Sequence, residues 1–356
     1  MSIPTAQKTW KVVRQGKPSK ALEFDEHSAV PSELKRGEVL VKVQAAALNP
    51  VGYKLMQLMP NMFANRPFPA ENDFSGVIAA VHESTDSESE FKVGDRVFGI
   101  IPVEVQRETK QGALAQYLRT DASYLARLPT NVTFTQAAGF ALAAETAWQG
   151  LFKFGGLEPG QSVFINGGSS SVGCFAIQIA KAKGCKVVAS ASSKNEEYVK
   201  SWGADEFIDY TAGPLHLALS KNPPSPKFHV ILDAVGLDDP SLYLNSRSYL
   251  APNGIYLSTG PMPSFSLGGM RDMLSLIFHA YLRPRWLGGV PSAFKIFMLK
   301  HNREDLHEIK ELIQEGKLKP AVDSVFAFED TLKAYDRLMS HRAKGKVVIR
   351  VDPEAE

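Results

Sequence analysis

Seven residues of this sequence, Gly167-Gly168-Ser169-Ser170-Ser171-Val172-Gly173, have the types and spacing to hold a phosphate. They join a run of strand length, Gln161 to Asn166, to a run of helix length and composition, Val172 to Lys183. Gly168 and Gly173 fit the outer glycines of G-x-G-x-x-G, with Ser170 in the middle place. Gly168 is expected to permit the tight turn, Gly173 to let helix and strand pack closely, and Ser169, Ser170 and Ser171 to add donors. The first turn of the helix, through Val172, then offers backbone N–H groups to a pyrophosphate. A Walker loop would need Lys at 174, which is Cys, and a nucleophile elbow Gly at 172, which is Val. Serine–glycine turns also serve as plain connections; the strand–turn–helix setting is what favours nucleotide binding.

The end of the next strand selects the nucleotide. NAD sites place an acid there for the ribose 2′-hydroxyl. Here Ala189-Ser190-Ala191-Ser192-Ser193-Lys194 carries none before Glu196. Ser192, Ser193 and Lys194 suit a 2′-phosphate, and Tyr210 could close the same pocket, so NADPH is expected over NADH. Lys194 also reads as a solvated helix-start lysine and Tyr210 as a packing aromatic.

These residues need a scaffold. Short Val- and Ile-rich runs bounded by Gly, Pro and Asp, such as Val39 to Val43, Gly76 to Val81 and Arg96 to Ile101, predict a β-rich unit over residues 1–128. From about residue 130 strands alternate with helices: Lys186–Ser190, Ala204–Tyr210, His229–Val235 and Gly254–Thr259 follow the first strand, which predicts βαβ units and a doubly wound parallel sheet over 129–290. Residues 291–356, with a helix over Glu329–Met339 and a strand over Lys346–Val351, are expected to return to the first unit. The polar stretch His82–Glu90 reads as a solvated loop.

Composition narrows the class. A chain of 356 residues, 44% apolar, can bury two cores. A formal net charge of +2 provides no basic field for nucleic acid. No uninterrupted apolar run of about 18 residues suggests a transmembrane helix, and the opening stretch does not read as a secretory signal. With two cysteines, Cys174 and Cys185, a disulfide framework is excluded and a reduced cytoplasmic setting is expected.

The chain resembles the zinc-free branch of the medium-chain dehydrogenase/reductases: quinone oxidoreductases of the zeta-crystallin kind, enoyl and alkenal reductases, and the trans-acting enoyl reductases of fungal polyketide synthases. Asn49-Pro50-Val51-Gly52-Tyr53-Lys54 is similar to the family's Asn-Pro-x-Asp-x-Lys, with Gly52 in the Asp place. Gly94-Asp95-Arg96-Val97, Gly112 to Tyr117 and Ala144 to Trp148 are similar to its G-D-R-V turn, G-[AG]-x-A-E-Y segment and L-T-A-W helix start. The resemblance implies an α/β protein with a GroES-like β domain, a Rossmann domain and an active site in the cleft between them.

It also implies roles. Asn49, Pro50, Tyr53 and Lys54 would face the nicotinamide ribose and substrate, with Tyr53 the first candidate proton donor and Lys54 the next. Thr146, Val235, Gly236, Ser258 and Thr259 would flank ribose and nicotinamide, and Lys346 with Val347 would form the C-terminal cofactor element. Each also has a plain reading: Tyr53 as a core aromatic, Lys54 as a surface charge, Thr146 as a helix-start hydroxyl. Asn49 stands where zinc relatives carry their first catalytic Cys, and Pro69-Ala70-Glu71-Asn72-Asp73 replaces their Gly-His-Glu, so no metal is expected. Without a Lewis acid a plain ketone is hard to polarise, whereas a conjugated C=C–C=O accepts hydride with help from hydrogen-bond donors alone.

The expected function is therefore NADPH-dependent reduction of an α,β-unsaturated carbonyl or quinone. A trans-acting enoyl reductase with a carrier-bound substrate, and an NADPH-binding protein without turnover, remain as alternatives. The substrate is expected to be small and apolar, and the protein a monomer or homodimer. Residues 264–300, rich in apolar side chains (Met270, Met273, Leu274, Leu276, Ile277, Phe278, Tyr281, Leu282, Trp286, Phe294, Phe297, Met298) and with Arg271, Arg283, Arg285 and Lys295, read as a substrate-pocket wall or as domain core ahead of a dimer or membrane-surface contact.

Overall fold

The computed structural model describes residues 3–82, 90–260, 271, 274–283 and 290–356, with Tyr281 by its backbone alone. Two compact units emerge: residues 1–145 with 300–356, and residues 146–299. The divisions fall at 145/146 and 299/300, where the sequence analysis places them at 128/129 and 290/291.

The first unit begins with strands β1 (Ala6–Val12), β2 (Leu22–Ala29), β3 (Glu38–Ala47), β4 (Phe68–Pro69), β5 (Asp73–Val81), β6 (Arg96–Ile100), β7 (Tyr117–Asp121) and β8 (Leu125–Arg127). β1 pairs with β2 and β4 in a small antiparallel sheet. β3 runs through the middle of the larger sheet, where Ala45, Ala46 and Ala47 are fully buried. Ala45 and Ala47 pack with Ala138 and Val348. Bulkier side chains there would force strain in a packed core.

The second unit holds β9 (Ser162–Asn166), β10 (Lys186–Ala191), β11 (Glu206–Asp209), β12 (Phe228–Asp233), β13 (Leu250–Ser258) and β14 (Ala293–Ile296). Their order, β11-β10-β9-β12-β13-β14, and their parallel pairing are those of a Rossmann sheet. The sheet's aromatic core includes Phe164 stacked on Phe228 at 5.5 Å and Tyr256 on Phe294 at 5.4 Å.

At Lys300 the chain rejoins the first unit. There β15 (Val322–Ala327) pairs in parallel with β16 (Lys346–Arg350), and β16 lies antiparallel on β3. Among the described residues no helix is long and apolar enough to cross a membrane.

The structure divides the apolar segment over 264–300. Leu276, Phe294 and Phe297 are buried, whereas Leu274, Ile277, Phe278, Leu282 and Met298 are exposed. Met270, Met273, Arg285 and Trp286 lie outside the described residues, as do residues 83–89 of the polar loop.

Candidate active site

The serine–glycine turn joins β9 to a 12-residue helix, Ser171–Ala182. One expectation is corrected. The left-handed residue of the turn is Gly167, at φ +84, and not Gly168. Gly168 is glycine because a Cβ there would meet the Ala189 Cβ at 3.0 Å and Val199 Cγ1 at 3.2 Å. At Gly173 a Cβ would fall 2.1 Å from the Gly167 carbonyl oxygen, which the backbone cannot yield. Ser170 is the N-cap, its Oγ accepting from the Gly173 amide at 3.1 Å. Ser169 Oγ accepts from the Asn195 side chain at 3.3 Å. Two of the three serines thus shape the turn. Ser171 and Val172 are half-buried and supply first-turn amides. Helix termination is simpler: Gly184, at φ +78, follows the C-cap Lys183.

The strand ends beside the turn are laced by a carboxylate that sequence reasoning passed over. Asp233, fully buried at the end of β12, accepts from Asn166 Nδ2 (2.8 Å) and from the amides of Val235, Gly236 and Leu237 (3.2, 3.2 and 2.7 Å). Burial raises its pKa. Asp233 therefore fixes the Val235–Gly236 turn, and its carbonyl takes the Thr259 amide at 3.1 Å. Ser258 is buried, with its Oγ 3.5 Å from Asp233 Oδ2. These groups converge outside the carboxyl ends of parallel strands, next to β9 where the strand order reverses, which is where open α/β sheets bind ligands. The residues present fit a dinucleotide's pyrophosphate.

Ser193 and Lys194 are exposed and Ser192 half-buried at the end of β10; Tyr210 is exposed too. A carboxylate does reach this end, from the neighbouring strand. Asp209 Oδ1 accepts from the Ser193 amide at 3.1 Å and from the Thr211 amide at 2.8 Å and hydroxyl at 2.6 Å. The Thr211 hydrogen bonds hold its pKa below the usual value. The two cysteines are buried, and burial pushes the Cys174 thiol up to about 12, far from reactivity.

In the first unit, Asn49 and Pro50 open the helix Pro50–Leu58 as N-cap and first residue. Asparagine at an N-cap ordinarily bonds its own helix, but this side chain does not. Asn49 Nδ2 donates to Asp73 Oδ2 at 3.0 Å, and Asn49 Oδ1 accepts from Lys346 Nζ at 2.6 Å. Lys346 Nζ also donates to Asp73 Oδ2 at 2.8 Å, and both side chains are almost wholly buried, at 1% and 0% exposure. Asp73 Oδ1 accepts from the Leu142 amide at 2.8 Å. Gly139 makes way for the lysine stem, since a Cβ there would meet Lys346 Cγ at 2.8 Å. Val347 is buried and its carbonyl takes the Leu48 amide at 2.9 Å.

Behind Asn49 sits Glu71. Its Oε2 accepts from the Asn49 amide at 3.0 Å, and its Oε1 from the Tyr335 hydroxyl at 2.6 Å. Sequence reasoning brought Asn49 and Lys346 forward but took Glu71 and Asp73 only as part of the segment that replaces the zinc relatives' Gly-His-Glu, and missed Tyr335. The available signal was Gly52, which left the Asn-Pro-x-Asp-x-Lys pattern one carboxylate short. Tyr53 is buried, and burial raises its phenol pKa; Lys54 is half-buried and Thr146 buried. Among the described residues no group of three or more His, Cys, Asp and Glu could hold a metal ion.

Known proteins share this architecture. A family profile described as "Alcohol dehydrogenase GroES-like domain" matches residues 35–130, and one described as "Zinc-binding dehydrogenase" matches 202–349. The chain is 34% identical to a zinc-type alcohol dehydrogenase-like protein of Schizosaccharomyces pombe, covering 96% of each chain. It is 31% identical to a trans-enoyl reductase of Aspergillus terreus, covering 99% of this chain and 98% of that one. The quinone oxidoreductase structure from Coxiella burnetii superposes with a TM-score of 0.77 at 26% identity, covering 97% of this chain and 99% of that one. The GroES-like unit, the Rossmann unit and these full-length relatives together make the chain a member of the medium-chain dehydrogenase/reductase family of oxidoreductases.

Proposed function

We propose that the protein uses NADPH to reduce the conjugated C=C of an α,β-unsaturated carbonyl, or a quinone, without a catalytic metal. The observation that carries this reading is the partner of Asn49. The residue standing where zinc relatives have their first catalytic Cys is bonded to the buried ammonium of Lys346. When bound, a reduced nicotinamide supplies the hydride that the electron-poor end of such a double bond takes up.

The chain's own residues bind, orient and handle the proton. Gly168, Ser169, Ser170, Ser171, Val172 and Gly173 hold the pyrophosphate. Ser192, Ser193, Lys194 and Tyr210 receive the 2′-phosphate. Val235, Gly236, Ser258 and Thr259 border ribose and nicotinamide, with Asn49, Pro50, Lys54, Thr146, Lys346 and Val347 as the further contacts. Tyr53 gives the proton that completes reduction, and Lys54 is the second candidate. Burial keeps the Tyr53 phenol protonated and makes it a weaker acid than a free tyrosine, so proton donation from it depends on the charge that develops on the substrate oxygen or carbon.

Asp209 is the group that weighs against 2′-phosphate binding. Michaelis constants for the two cofactors decide this point: a lower value for NADPH supports the reading, and equal or better use of NADH overturns it. Stoichiometric zinc in the purified protein would overturn the metal-free part. The full-length likeness to the Aspergillus terreus trans-enoyl reductase favours a second reading, an enoyl reductase whose substrate arrives on a carrier protein. Faster turnover of a carrier-bound enoyl thioester than of the free thioester would select it.

A further inference from the structure

We propose that Glu71 supplies, from the turn before β5, the carboxylate that position 52 lacks, and that it is the positioning residue of the Asn49–Lys346 cluster. This rests on the proposed placement of Asn49 and Lys346 at the nicotinamide.

A Cβ at Gly52 would lie 2.2 Å from Glu71 Oε1 and 2.9 Å from its Cδ. A side chain at 52 and the Glu71 carboxyl group therefore exclude one another. In the Asn-Pro-x-Asp-x-Lys pattern the acid is carried by the helix; here the helix is bare and the acid enters from outside it.

Glu71 sits at φ +63, a left-handed conformation that glycine favours and that other residues hold where their surroundings enforce it. The surroundings do so: the Glu71 carbonyl accepts from Gln106 Nε2 at 2.9 Å and from the Ala113 amide at 3.0 Å. Its carboxyl group takes the Tyr335 hydroxyl and the Asn49 amide. At 2% exposure it is almost wholly buried, a place where an acid is rarely found without partners.

Tyr335, Lys346 and Asp73 act on the Glu71 carboxyl group, and Arg66 and Arg107 line the same small cavity. Burial pushes the Glu71 carboxyl up to about 7, against the pull of the Tyr335 hydroxyl, the Lys346 charge and the Asn49 amide. One unit of charge behind Asn49 thus appears or disappears across neutral pH, while the carboxyl group keeps the amide in place.

The test uses the intact protein. Difference infrared spectra of the nucleotide-free protein should show a carboxyl band that titrates near pH 7 and is lost in Glu71→Gln. NADPH affinity measured by fluorescence should change with pH around the same value in the wild type and not in Glu71→Gln. Glu71→Gly, which suits the left-handed backbone, should weaken NADPH binding or turnover about tenfold. Adding Gly52→Asp to it should recover most of that loss, whereas Gly52→Ala alone should lower the melting temperature. A carboxyl band unchanged in Glu71→Gln, or a Gly52→Asp/Glu71→Gly protein that melts like the wild type yet binds and turns over no better than Glu71→Gly, would overturn the proposal. The infrared and binding readouts decide it even if no tested acceptor is reduced, a result that would sink only the reductase reading.

Discussion

Lys346 and Asp73 form an ion pair with almost no exposure to water, and such pairs are far more costly to break than to form. Lys346→Met should destabilise the protein by about 3–5 kcal/mol, because it strands the Asp73 charge. Lys346→Met combined with Asp73→Asn should recover part of that loss in chemical denaturation; equal stability of the two variants would show that the stranded charge is not the cause. Tyr53→Phe should cut turnover and leave NADPH affinity nearly intact, and an unchanged rate would remove Tyr53 from the proposed mechanism. At this scale the sequence was half legible. Asn49 and Lys346 stand in recognisable motifs. Glu71, Asp73 and Tyr335 do not, because their bonds span 264 residues from Glu71 to Tyr335 and 273 from Asp73 to Lys346. The pairing of β3 with both β5 and β16 brings Asp73 and Lys346 together, and Tyr335 comes from the helix Thr331–Met339.

Elements set the next layer. The nucleotide turn depends on glycines that tolerate no Cβ, so Gly173→Ala, with its methyl 2.1 Å from a backbone oxygen, should abolish nucleotide binding or unfold the turn. Ser170→Ala removes a cap and should cost about 1 kcal/mol of stability. Elsewhere, Glu145 and His301 join the two ends of the first unit's chain. His301 Nδ1 lies 3.1 Å from both Glu145 oxygens, and Nε2 lies 3.1 Å from the Ser123 carbonyl. A carbonyl only accepts, so Nε2 carries hydrogen and a second proton lies between Nδ1 and Glu145. The pKa of His301 is accordingly raised by Glu145 despite burial, and that of Glu145 is raised by burial. A group that holds its proton more tightly when folded stabilises the fold at low pH. That contribution is present below the ordinary histidine value of 6.5 and is lost as pH rises through the raised one. His301→Gln should flatten this decline in melting temperature. The strand–turn–helix pattern was readable because each glycine there answers a local steric need. The Glu145–His301 pair was not, since its partners are 156 residues apart.

At the scale of the molecule, the parallel sheet followed from alternating strands and helices, and its reversal beside β9 sets where a ligand binds. The cofactor preference was harder to read. The missing acid at the end of β10 was visible, but Asp209 arrives from β11 through parallel pairing that no local pattern displays. Asp209→Asn should therefore raise the preference for NADPH over NADH, measured as the ratio of kcat/KM values; a fall in that ratio would place the 2′ position elsewhere. Hydride transfer from NADPH to an activated double bond can be followed as NADPH oxidation across a panel of enones, quinones and enoyl thioesters. At least one conjugated acceptor should turn over, more slowly with NADH, and a plain ketone should not. Tight NADPH binding with no oxidation across the whole panel would contradict the proposed reduction.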